Sequence, residues 1–350
     1  MLLWYTFFMS NKTTAFYAAL CLFFSAIEYA IPKPIPFLRL GLANLPILIA
    51  LTTLDTKQIG ILVVFKIIGQ ALLTGTIFSY IFIFSAAGSI ASATTMVLIY
   101  NIFKKTGLLS NISLSLSGAL SNNAAQLFCS HFLIFGENTK YIAPVLLISG
   151  LITGTVLGVI VNIFEEKSKW YHLLLNPTDF STLSTNIKEN PNNKDYKSIF
   201  IFIIAFVIIV IFMLLHSLWI KIAFSICFFV ILEIKKKGKV KVLPSIILLI
   251  SVTFFSLLNP SGEILFSIGL FNITKGALLN GLNKSITLVG MVFVSQIAIN
   301  KNLYIPGKIG SFISLEFSYF EQLTSKKVKF TKKNIIDTID NHLIEIWESI

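Results

Sequence analysis

Charge is what this sequence has least of. Only 13% of its 350 residues are Asp, Glu, Lys or Arg, about half of the roughly 25% usual in a soluble domain, while 55% are apolar or aromatic. A soluble enzyme is thereby excluded. Cysteine is scarce as well: Cys21, Cys129 and Cys227 each lie inside an apolar block and match no zinc or redox spacing, so no disulfide framework is expected. His131, His172, His216 and His342 are scattered, and no metal site is expected from them. There is no DDxxD pair of aspartates for magnesium-diphosphate chemistry and no nucleophile elbow. The run from Gly276 through Gly281 to Lys284-Ser285 superficially resembles a phosphate loop, but two residues separate the second glycine from Lys-Ser and no strand is expected before it. No cofactor and no enzymatic activity are expected. The net charge of +12 comes from lysines outside the apolar blocks, which fits cytoplasmic loops of a membrane protein better than a nucleic-acid partner.

What fills the chain instead is a series of apolar blocks near or above the roughly 20 residues that span hydrocarbon as a helix. They predict an all-α polytopic membrane helix bundle of about six plus four transmembrane helices, multi-pass in the cytoplasmic (inner) membrane. The first six spans read as Thr13 to Ile31, Leu40 to Leu54, Ile59 to Phe78, Ser79 to Phe103, Leu108 to Phe135 and Tyr141 to Phe164. Ile59 to Phe103 has no charged break, yet it is about twice too long for one crossing, so the chain is expected to fold back around Phe78 to Tyr80. Residues 1–164 then form one module, 165–197 a polar linker, 198–300 a four-helix domain and 301–350 a cytoplasmic amphipathic tail. Glu263 to Ile273 is too short to cross. The residues before Met9 carry no basic leader or cleavage site, so insertion is expected to depend on the first span. Lys104 and Lys105, Lys167 and Lys169, and the run Lys235 to Lys241 can all face the cytoplasm together, with both termini inside.

The stretch from Glu28 to Pro46 is the most informative. Pro32, Pro34 and Pro36 stiffen an extended outer connection, and Gly41 and Pro46 shorten or break the next span. Arg39 is the sole arginine among 28 basic residues. Its planar guanidinium can grip a carboxylate, phosphate or ring as an ammonium cannot, although an interfacial snorkelling role would also account for it. Glu28 and Lys66 are charges within spans, expensive in lipid; they are either an ion pair between helices or part of a site. Lys66, Gln70 and Thr74 share one helical face. On the fifth span Ser115, Ala119, Asn122, Gln126 and Ser130 share another, with Asn123 beside it, and Ser85, Gly88 or Ser89, Ser92 and Thr95 mark a similar face on the fourth. Such stripes serve close helix contact or, where several meet, a central binding site. The expected substrate-binding set is Glu28, Arg39, Asn44, Lys66, Gln70, Asn122 and Gln126.

Those residues carry a resemblance. Glu28, Pro32, Pro34, Pro36, Arg39-Leu-Gly41-Leu-Ala-Asn44, Lys66 with Gly69, Thr74-Gly75-Thr76, Ser85 with Gly88, and Gly118 through Gln126 resemble the Gx transporter family, often labelled heptaprenyl diphosphate synthase component I, over roughly Thr13 to Phe164. Asn122-Asn123 stands where family members commonly show His-Asn, and Lys66 where the basic residue is often arginine. The resemblance implies an S-component-like module of an energy-coupling factor transporter, which binds a small amphiphilic cofactor or precursor (a flavin, or a quinone or isoprenoid precursor). It also implies a separate scaffold T component and ATPase subunits as partners. Ala15-x-x-x-Ala19 would offer a close-packing surface to a scaffold helix or to the module itself. The second half, from Asn259 to Gly276, faintly resembles a T component. Alternatives are a membrane-bound component of isoprenoid diphosphate synthesis and a structural subunit of a membrane redox complex. Finally, Ile336, Ile339, Leu343, Ile346 or Trp347 and Ile350 form one helical face, with Asp337, Asp340, Glu345 and Glu348 on the rest. This acidic amphipathic helix is expected to dock on a protein surface, either a partner's or the loops around Lys235 to Lys241.

Overall fold

A computed structural model of the chain describes residues 2–30, 40–107, 109–175, 196–237, 240, 242–268, 271–298, 307–325 and 335–348. The first bundle opens with α1 (Leu2–Ala30). A 3-10 turn (Leu42–Asn44) then leads into the short α2 (Leu45–Thr53), with Gly41 left-handed at φ 80° before the turn and Pro46 in the first turn of the helix, where its missing N–H costs nothing. Asp55 and Gln58 form a capping box at the start of α3 (Thr56–Thr74), and Gly75 ends that helix at φ 70°. The chain folds back before α4 (Tyr80–Phe103), as the excess length of the apolar run predicts. Ser110 caps α5 (Asn111–Ser130), which runs on through a π turn (His131–Phe135). Then come α6 (Thr139–Lys167) and α7 (Lys169–Leu175), so the stretch read as linker starts as helix, with Trp170 buried.

Glycine sets how closely α5 and α6 approach. Gly150, Gly154 and Gly158 recur at four-residue spacing on α6, one face of the helix. A Cβ on Gly158 would lie 2.5 Å from the Ile112 Cα, and one on Gly154 would lie 3.0 Å from the Leu116 Cα. In lipid, where tails are as apolar as leucine, such backbone contact is what holds helices together.

The second bundle consists of α8 (Tyr196–Leu214), α9 (Leu218–Lys236) and α10 (Leu243–Leu257), then an antiparallel hairpin of β1 (Ile264–Ile268) and β2 (Phe271–Thr274), then α11 (Lys275–Ala298). The hairpin corrects the expectation that no strand precedes Gly276. That glycine and Lys284-Ser285 nevertheless lie inside α11, so no phosphate loop forms. Buried Lys221 of α9 is satisfied by Asn283 Oδ1 at 2.8 Å and Thr287 Oγ1 at 2.9 Å. Among the described residues, Thr56–Thr74, Tyr80–Phe103, Asn111–Lys167 (two helices) and Lys275–Ala298 are long and apolar enough to cross a membrane, and Leu42–Thr53, Phe200–Leu214 and Leu243–Leu257 are apolar but shorter.

The two bundles do not share an axis. Lys284 Nζ donates to the Ile134 carbonyl at 2.9 Å, and eleven residues later Ser295 Oγ accepts from the Phe78 N–H at 3.1 Å. Ile134 and Phe78 both lie at the end of the first bundle where α3 turns into α4 and α5 into α6. Since eleven residues advance a helix by about 16 Å, α11 runs across that end. Lys236 donates to Gln296 Oε1 at 2.5 Å, beside Gly75, at the end of the first bundle away from Lys104 and Lys167.

The C-terminal helices return to the first bundle. α12 (Gly307–Ser325) packs on α1 and α3, with Phe312 stacked on Phe65 at 3.8 Å between ring centroids. α13 (Ile335–Glu348) brings Trp347 against Phe16 and Trp170. The helix α13 thus docks on α1 and α7 of its own chain. Asp340, read as part of the outer acidic face, is buried and accepts from Ser168 Oγ at 2.5 Å and from the Lys169 N–H at the start of α7. Ala15 and Ala19 are fully buried in the same cluster as Tyr319 and Leu323.

Two outcomes follow. With the native cysteines replaced by serine, Gly75→Cys with Gln296→Cys is expected to form an intramolecular disulfide: a Cβ on Gly75 lies 3.6 Å from that of Gln296, within disulfide range, despite about 1–2 kcal/mol of left-handed strain. Bundles standing side by side with common polarity would leave the pair uncrosslinked. Gly158→Ala is expected to destabilise by roughly 1–3 kcal/mol through overpacking against backbone, lowering the thermal midpoint, whereas Gly60→Ala, which meets nothing within 4 Å, should not lower it.

Candidate functional site

The serine and glycine stripe of α4 is the spine of the site. Ser85, Gly88, Ser89 and Ser92 are all buried and, at spacings of three, one and three, lie on one face. Ser85 Oγ donates to Gln70 Oε1 at 3.3 Å, and Ser92 Oγ accepts from Asn44 Nδ2 at 3.5 Å. Between them Gly88 has no side chain because its space is taken: a Cβ there would run into Asn122 Oδ1 and lie 3.2 Å from Gln126 Nε2. Gly118 of α5 is close to Ser92 and Met96 in the same way. The 3-10 turn before α2 (Asn44), α3 (Gln70) and α5 (Asn122 and Gln126) therefore place amides along the α4 stripe, forming one seam.

The seam opens into a small cleft with about 20 Å³ of free space, lined by Leu40, Gly41, Asn44, Leu45, Leu48, Ser92, Met96, Ser115, Ala119, Asn122, Asn123, Thr153 and Leu157. Asn44 and Asn122 of the expected set line it directly. Lys66, 1% exposed, stands behind Asn44 and donates to its Oδ1. Glu28 is buried, and its Oε1 accepts from the Leu40 N–H at 2.9 Å, pinning the entry to Gly41. Gln70 and Gln126 lie one turn beyond the cleft along the seam. Arg39 and the prolines before it lie outside the described residues.

Satisfaction of these polar groups is uneven. Asn122 Nδ2 donates to Asn123 Oδ1 at 3.4 Å, and Asn123 donates to the Leu146 carbonyl of α6. Gln126 is wholly buried, yet neither its Oε1 nor its Nε2 has a hydrogen-bond partner. An orphaned amide inside a protein costs roughly 1–3 kcal/mol for each unmade bond, so its persistence calls for an explanation.

Sequence reasoning missed the contribution of α6, where Thr153 and Leu157 line the cleft; their four-residue spacing beside the Gly150, Gly154 and Gly158 row was the available signal. It also missed Glu316. This residue of α12 is 0% exposed, and its Oε1 would lie 2.6 Å from a Cβ on Gly69, one turn from Lys66. Nothing in the composition of the tail marked it. Among the described residues, no group of three or more His, Cys, Asp or Glu could hold a metal ion.

Comparison with known families agrees with this division. Residues 198–301 match a domain of unknown function, which takes in the second bundle but neither α12 nor α13. Neither a curated protein nor a solved structure matches the chain. Residues 17–164, which hold all seven residues of the expected site, match the family described as heptaprenyl diphosphate synthase component I, so the first bundle of this membrane protein is similar to that family over nearly its whole length.

Proposed function

We propose that the first bundle binds a small amphiphilic molecule in the α4 seam and serves as the substrate-binding component of an energy-coupling-factor-like transporter. The cargo class is a cofactor or precursor with a polar, hydrogen-bonding end: a flavin, or a quinone or isoprenoid precursor. Gln126 carries the reading. Its two unpartnered amide atoms are buried one turn along α5 from Asn122, and a cargo carbonyl or N–H group reaching past Asn122 would satisfy them. Asn44 and Asn122 orient the cargo, Lys66 supplies positive charge behind Asn44, and the apolar lining from Leu48, Met96 and Leu157 receives its hydrophobic body. Arg39 contacts an anionic or electron-rich end from the outer connection.

The rest of the proposal is organisational. The chain lies in the cytoplasmic membrane with both termini inside, works with a scaffold T component and ATPase subunits, and performs no catalysis itself. The description of the matching family favours a second reading, a non-catalytic membrane component in isoprenoid diphosphate synthesis.

Mass spectrometry of small molecules extracted from the detergent-purified protein tests this. One cargo species is expected at near-stoichiometric yield. Asn122→Leu and Gln126→Leu should each lower its recovery about tenfold, equivalent to about 1.4 kcal/mol, at unchanged expression, and Arg39→Lys should lower it less than either. A recovered prenyl diphosphate would favour the second reading. Unchanged recovery in both amide variants would remove the seam as the site.

A further inference from the structure

The buried carboxyl of Glu316 is unexplained by helix packing. It comes from α12, outside both family matches, is fully buried, and has no hydrogen-bond partner at either oxygen. Burying an acid without a donor costs several kcal/mol, and any apolar side chain of similar size would pack there at no such cost. The place it occupies is specific. Gly69 leaves the space for it, and a Cβ at that position would lie within 3.0 Å of both carboxylate oxygens.

Lys66 lies three residues before Gly69 on α3, so the two positions face the same way, about 5–6 Å apart at Cβ. A lysine side chain of four methylenes spans that distance. In the present arrangement Lys66 donates to Asn44 Oδ1, and Asn44 lines the cleft. Glu316 lies on a helix outside the candidate spans. Burial pushes its carboxyl well above the usual carboxylate range, and an approaching ammonium would reverse that shift.

We propose that Glu316 is the alternative partner of Lys66: when a ligand takes the Asn44 side chain, the Lys66 ammonium turns from Asn44 to Glu316, so that occupancy of the cleft tightens the docking of α12 on α1 and α3. The C-terminal segment then reads the state of the site through the choice Lys66 makes between Asn44 and Glu316, a two-state element of the kind coupling requires. Phe312 on Phe65 and Tyr319 on Phe16 hold α12 in place in both states. The added Lys66 to Glu316 contact distinguishes them.

This inference rests on the cleft being the ligand site, but its test needs no cargo, because variants at Asn44 can imitate the two states. Hydrogen exchange of α12, residues 307–325, is measured in the full-length protein in detergent. Asn44→Ala releases Lys66 and is expected to slow that exchange about threefold, a modest shift in local opening. Asn44→Asp gives Lys66 a stronger partner and is expected to speed it. In a Glu316→Gln background both effects should vanish, since an amide cannot serve as counter-charge. Should one Asn44 variant fold poorly, the other carries the test through its own sign. Equal responses with and without the Glu316→Gln substitution, or the same direction of change for both Asn44 variants, would overturn the proposal. An absent cargo in the mass spectrum would count against the transport reading and leave this result as it stands.

Discussion

The constraint on which this structure depends is that a chain surrounded by hydrocarbon must satisfy its polar groups from within. The α4 stripe shows how. Ser85, Gly88, Ser89 and Ser92 are small enough for α3 and α5 to come close, and polar enough to receive the amides those helices bring: Gln70 at Ser85, Asn122 and Gln126 around Gly88, Asn44 at Ser92. Close approach and polar satisfaction are thus one arrangement. Where it leaves a remainder, at Gln126, it leaves the chemical opening on which the functional reading rests.

The same constraint shapes the rest of the molecule. Buried Lys221 is paired by Asn283 and Thr287, and buried Asp340 by Ser168 and the start of α7. Each of these contacts joins segments distant in sequence, so polar satisfaction also fastens one part of the chain to another. Phe78 to Ser295 and Lys284 to Ile134 do this between the bundles, and they force α11 to lie across the first bundle. The C-terminal helices close the circuit by covering the α1 surface at Phe16.

Much of the fold was legible because apolar run length translates directly into helices. The break near Phe78 and the short second helix after Gly41 follow from length, glycine and proline. The stripes of α4 and α5 were legible too, since three- and four-residue spacing reports a face without knowing its neighbour. What spacing cannot report is which face meets which. Asp340 looked like part of a solvated acidic face because its partner, the start of α7, lies more than 170 residues away. Glu316 carried no local signal at all, and the hairpin before Lys275 was too short for its alternation to stand out.

The central claim is that the polar seam beside Met96 receives a small molecule. Met96 lines the cleft and is 2% exposed, so it can be replaced metabolically by a diazirine analogue of nearly the same shape. Photolysis of the protein in its native membranes, followed by mass analysis of the peptide containing position 96, addresses the claim directly. The account predicts one discrete small-molecule adduct on that peptide, lost when Asn122 is replaced by leucine. Crosslinks from position 96 to neighbouring protein residues alone, in a correctly folded protein, would contradict it.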